Sequence, residues 1–89
     1  MKRRDILSVK TWHVGGCNWK AIDTHAMPSQ DEVGECNSVN QKIHRLKSMT
    51  RGMKIRTTVH ELVHALGLDE GAAAVAELLA GVLIDHKVL

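Results

Sequence analysis

Phenylalanine and tyrosine are absent from the chain, and tryptophan occurs only twice. A core lacking them must be assembled from Val, Leu, Ile, Ala and Met, with Trp12 and Trp19 as its only large rings. Long apolar runs are missing too. The longest weakly polar stretch, residues 72–84, contains Glu77 and is too short to span a bilayer. Lys2-Arg3-Arg4 is not followed by the apolar segment of an export signal, because Asp5, Ser8, Lys10 and Thr11 interrupt it. A soluble, cytoplasmic protein is therefore expected. Strong charge of one sign is absent as well: the net charge is +2. No aromatic-studded basic patch marks a dedicated nucleic-acid binder. Cys17 and Cys36 lack any C-x-x-C spacing, so no zinc site is expected on them, and without an export signal reduced thiols are the default.

The remaining composition is that of one small globular domain, residues 1–89, with 44% hydrophobic and 25% charged residues. So short a chain buries a modest share of its surface, and a bound metal would stabilise it. The first half reads as strands. Residues 6–14 alternate roughly up to the Gly15-Gly16 break, residues 19–23 form a second short run, and Met27 to Asp31 carry turn chemistry around Pro28. Residues 33–36 and 41–46 read as a hairpin joined at Asn37-Ser38-Val39-Asn40. The second half reads as two helices. Thr50 is the expected N-cap of the first and Gly67 its stop, and Asp69 is the expected N-cap of the second. Met49 and Met53 are expected as filler under the first helix. The fold class expected is α+β: a small antiparallel-rich sheet packed on two helices.

The first helix carries His60-Glu61-Leu62-Val63-His64, an H-E-x-x-H pattern. Residues four apart lie one turn up and about 40° around the helix, so both imidazoles can reach one zinc ion. Glu61 projects about 100° away, beside the metal. From there its carboxylate can take a proton from a water that zinc acidifies. With His60 at 0°, Ile55, Val59, Leu62, Val63 and Leu66 fall between about 200° and 300°, an apolar stripe bordered by the two histidines. A catalytic site needs a third protein ligand, and Glu70, Glu77 and His86 are available. Glu77 is favoured. It is the only charged residue between Gly71 and Ile84, and burying a carboxylate mid-helix without a partner costs several kcal/mol. Ala73, Ala74 and Gly81 on its face would let another helix approach closely. The alternative is a solvent-facing stripe of Glu70, Ala74, Glu77, Gly81 and Asp85.

Over residues 33–83 the chain resembles the gluzincin type of zinc peptidase, and is similar to small phage and bacterial proteins related to ImmA/IrrE metallopeptidases. The resemblance implies a zinc-dependent metallopeptidase with His60, His64 and Glu77 as ligands and Glu61 as base. An extended peptide or protein substrate would lie along the 41–46 strand, where His44 borders the cleft. The chain departs from the thermolysin pattern at Gly81, where an Asp would orient a histidine, and it has no Tyr to stabilise an oxyanion. His44, His86 and Arg56 remain for that role. The run His60 to Gly67 also continues as H-E-x-x-H-x-x-G, similar to metzincins, with Glu70 at the third-ligand position but no downstream Met. The spacing through Asp69 and Glu70 is similar again to YbeY-like metal-dependent endoribonucleases, with Glu61 and Glu70 replacing that family's Gly and His. A zinc-binding interaction domain without catalysis is the remaining alternative.

Overall fold

A computed structural model describes residues 5–25, 34–37 and 40–89. The basic run 2–4, the 27–31 turn, Val33 and the Ser38-Val39 part of the hairpin turn lie outside the described residues. The chain is α+β: a four-stranded mixed sheet packed against two helices.

A 3₁₀ turn at Ile6–Ser8, capped by the Asp5 carboxylate, replaces the first half of the long strand expected from residue 6. Strand β1 (Thr11–Val14) then pairs antiparallel with β2 (Cys17–Thr24). The two-residue connection is Gly15-Gly16, with φ of 58° and 78°. A hairpin turn of this hand demands positive φ at both central residues, which glycine adopts without steric cost. Strands β3 (Gly34–Asn37) and β4 (Lys42–Leu46) form the expected second hairpin. The sheet order is β1-β2-β4-β3, and β4 runs parallel to β2. The sheet is thus mixed, with two antiparallel pairings and one parallel. Among the described residues β4 lies inside the sheet, between β2 and β3, and β3 is the outermost strand on that side.

Helix α1 (Arg51–Ala65) begins where Thr50 accepts the Met53 amide at 3.3 Å and stops before Gly67, whose φ is +88°. Helix α2 (Glu70–Asp85) begins where Asp69 Oδ1 accepts the Ala72 amide at 2.9 Å. Each cap satisfies an amide that has no partner within its helix, so the ends fall where the sequence predicts. α1 lies on β3 and β4, and α2 packs mainly against the far side of α1. α1 is therefore sandwiched, and α2 forms an outer layer. Among the described residues, no helix is long and apolar enough to cross a membrane.

The core is Trp19, Ala21, Ile43, Ile55, Ala73 and Ala80. The expected apolar stripe of α1 is only partly inside. Ile55 is fully buried, but Leu66 is exposed beyond the helix end, and Met53 is exposed rather than tucked beneath the helix. Thr57, Thr58 and Glu61 occupy the buried face instead. A buried cation explains Thr58. Arg45, which is 1% exposed, pairs with Asp23 on β2 at 3.0 Å and donates to Thr58 Oγ1 at 3.1 Å. One guanidinium thereby ties β4, β2 and α1 together and satisfies polar groups that would be costly to bury alone.

Where β3 crosses α1, Gly34 leaves room for two side chains. A Cβ there would run into Thr57 Cγ2 and come within 3.3 Å of Glu61 Cγ. Gly34→Ala is expected to destabilise the fold by about 1–3 kcal/mol through this overpacking. Urea unfolding checks it, and an unchanged midpoint would mean that β3 does not press on α1 as described.

Candidate metal centre

The His60 and His64 side chains leave α1 from adjacent turns and meet edge to face, with ring centroids 5.0 Å apart. One possible ligand atom each from His60, Glu61 and His64 lies within 4.8 Å of the others. Glu61 is 5% exposed and lies on the sheet side, under Gly34 of β3. The sequence motif is thus one compact cluster at the surface of the α1 layer.

The α1–α2 turn brings α2 over this cluster. Gly67 donates to the His64 carbonyl at 2.8 Å and Leu68 to the Val63 carbonyl at 3.2 Å, closing α1 and reversing the chain. Glu70, in the first turn of α2, then reaches back. Its Oε1 lies 2.8 Å from His60 Nε2, and its Oε2 lies 2.8 Å from His64 Nε2. Glu77 lies two turns further along, with Oε2 3.0 Å from His60 Nδ1. Glu70 and Glu77 therefore occupy opposite nitrogens of one imidazole. Gly81 and Ala73 are buried on the Glu77 side, so the close helix approach expected there is present, whereas Ala74 faces outward. His86, the remaining third-ligand candidate, is exposed just after α2.

The remaining ring nitrogens are fixed as well. His64 Nδ1 is 3.1 Å from the Leu68 carbonyl, an acceptor only, so this nitrogen carries the proton and donates. His60 Nδ1 likewise donates to the Glu77 carboxylate. Both rings then direct Nε2 to the face shared with Glu70. Fixing the far nitrogen in this way is how proteins orient metal-ligating histidines. Burial alone lowers the His64 pKa. The Leu68 carbonyl, the Glu70 hydrogen bond and the charges of Glu61 and Glu70 outweigh it, and the net shift is upward. A proton on Nε2 and a metal ion would compete for the same lone pair, so any metal held here would bind more weakly as pH falls through the raised pKa.

The donor set fits zinc. Two imidazole nitrogens and carboxylate oxygens are the ligands of known catalytic sites, and tetrahedral bonds of about 2.0–2.1 Å place neighbouring donors roughly 3.3 Å apart. The 2.8 Å separations between Glu70 and the two Nε2 atoms need to open only slightly. His44 sits within the interior strand β4, paired with Ile22 and Glu35, and is not part of the cluster. Sequence spacing marks Glu70 through the H-E-x-x-H-x-x-G continuation and the YbeY-like spacing that extends it. The Leu68 carbonyl and the Gly34 cradle carry no such mark, since a backbone acceptor and a missing Cβ leave no trace in a motif. Comparison of the chain with protein-family models, characterised proteins and solved structures yields no match.

Proposed function

We propose that the chain is a zinc-dependent peptidase in which His60, His64 and Glu70 hold the metal and Glu61 is the general base. One observation carries the ligand set: both Nε2 atoms converge on the two oxygens of a single carboxylate, Glu70. Glu77, favoured on sequence grounds, meets His60 at the nitrogen facing away from that point. We assign it the positioning of His60, as the Leu68 carbonyl positions His64.

When bound, zinc polarises a carbonyl and lowers the pKa of a water towards 7. Glu61 lies in the cluster on the sheet side, where its carboxylate accepts the proton of the attacking water and returns it to the leaving amine. The carbon–nitrogen bond breaks as a carbon–oxygen bond forms, and the net reaction consumes one water. An extended substrate would lie beside Glu61, near Gly34 of β3.

The Glu70 position also fits the YbeY-like spacing, so a metal-dependent ribonuclease is the second reading. The Glu61 carboxylate in the cluster favours the peptidase.

Chelator titration of protein purified without a metal-affinity tag tests the ligand set. Wild type is expected to hold about one zinc. Glu70→Ala should lose at least about 100-fold in affinity, and Glu77→Ala about 10-fold to 100-fold, the range of orienting partners. A larger loss in Glu77→Ala than in Glu70→Ala would return the ligand role to Glu77. Wild-type protein without zinc would sink the metal reading altogether. RNA cleavage that depends on Glu70, without peptide cleavage, would select the ribonuclease.

A further inference from the structure

Arg56 leaves α1 one turn before His60, and its guanidinium lies against Gly81 of α2. A Cβ at Gly81 would come within 3.2 Å of Nε, 3.3 Å of Nη2 and 3.4 Å of Cζ. Glycine is unfavourable in mid-helix, so the room it leaves for the guanidinium is what it contributes here. The Nε atom is buried and has no hydrogen-bond partner among the described residues. Arg56 forms no ion pair with a described residue either. A buried, unpaired donor on a charged group is costly to the fold, and at a groove it marks a place where a ligand supplies the acceptor.

Arg56 lines a groove of about 490 Å³ along one flank of α2. Ala74, Leu78 and Val82 give that groove an apolar wall, and Glu77 and Asp85 are its acids. Glu77 is engaged by His60 Nδ1 at 3.0 Å, and Asp85 is exposed at the end of α2. Neither closes on Arg56, so the cation stays open to a ligand's anion, while the two carboxylates limit how tightly an anion binds. The groove also adjoins the histidine cluster, because Glu77 belongs to both. Arg56 and His60 are four residues apart on one helix face, which sets their Cβ atoms about 5–6 Å apart. An extended peptide advances about 3.3 Å per residue, so one whose carbonyl lies at the cluster reaches the groove within about three residues.

We propose that this groove is a subsite for the C-terminal carboxylate of a peptide whose last side chain is apolar, with Arg56 as the specificity-determining residue. The guanidinium fork takes the carboxylate, and the wall of Ala74, Leu78 and Val82 takes the side chain beside it. The inference rests on the peptidase reading for calling this ligand a substrate. The binding itself requires neither zinc nor cleavage.

NMR titration of the full chain, with and without added zinc, tests it. N-acetyl-leucine carries both the carboxylate and the apolar side chain. It should shift the Arg56 Nε–Hε and Gly81 amide signals, with Kd on the order of 1 mM for so small a ligand. N-acetyl-leucinamide lacks the charge and should bind about 10-fold more weakly. N-acetylglutamic acid α-amide, whose only carboxylate is in its side chain, should also bind more weakly than N-acetyl-leucine. Arg56→Gln should erase the difference between acid and amide, and Arg56→Lys should keep part of it, with the charge but not the fork. Asp85→Asn should tighten N-acetyl-leucine several-fold by removing a like charge. Absence of binding, equal binding of acid and amide, tighter binding of the glutamic probe, or weaker binding in Asp85→Asn overturns the proposal. Peptide digestion separates it from the reading on which it rests. Arg56-dependent preference for free-acid peptides over their C-terminal amides supports both, whereas carboxylate binding without any cleavage supports the subsite and removes the peptidase.

Discussion

Glu61→Gln is expected to retain zinc and the native fold while lowering peptide cleavage by about 10²-fold to 10⁴-fold, the usual contribution of a positioned base. Glutamine matches the shape of the side chain that Gly34 accommodates, so the packing under β3 is preserved. Neutralising a side chain that is 5% exposed also removes a buried charge, so stability should hold or rise. What disappears is the capacity to accept a proton beside the metal. Zinc analysis and digestion of an extended peptide library, run on both proteins, separate the alternatives. Equal cleavage by wild type and variant would assign the activity to a contaminant. Cleavage by neither, with zinc bound in both, would identify a zinc-binding interaction domain.

His64→Ala is expected to abolish tight zinc binding and the stabilisation that comes with it. His64 offers Nε2 to the shared face and is held there by the Leu68 carbonyl. Zinc at a hundredfold excess over its Kd stabilises the native state by about 2.7 kcal/mol. A domain of this size gains about 4–8 °C in Tm per kcal/mol, so zinc should raise the wild-type Tm by about 10–20 °C. The variant should show almost none of that shift. Comparing the zinc-induced change within each protein separates metal binding from whatever the lost His64 contacts cost the metal-free fold. A full zinc-induced shift in His64→Ala would remove His64 from the ligand set.

Features governed by near neighbours are legible in the sequence. Thr50, Gly67 and Asp69 mark the helix ends because capping is settled within three or four residues, by amides that have no helical partner. Gly15-Gly16 marks its hairpin because positive φ is a property of the residue itself. The His60–His64 pair is legible for the same reason, since the helical repeat alone places residues four apart on one face.

Features governed by distant neighbours are not. Alternation identifies a strand but not its place in a sheet, and the 41–46 segment is interior, with β3 as the edge. Helical periodicity counts Leu66 in the apolar stripe and leaves Thr58 out of it. Arg45 arriving from β4 draws Thr58 inward, while Leu66 lies past the last turn covered by the sheet. The assignment of acids to histidine nitrogens shows the limit most clearly. Composition along α2 singles out Glu77 as the anomalous carboxylate, and Glu77 does meet His60, at Nδ1. The helix dipole is sufficient to explain an acid at Glu70, yet Glu70 faces both Nε2 atoms. By itself, then, the sequence determined the two helices, their caps and a histidine pair able to share one ion, because each depends on contacts within about one helical turn. Only the tertiary structure decided which carboxylate faces that pair, which strand lies inside the sheet and which side of α2 is left uncovered. Those outcomes depend on how the Gly67 reversal lays α2 across α1, and that packing is set by side chains far apart in the chain.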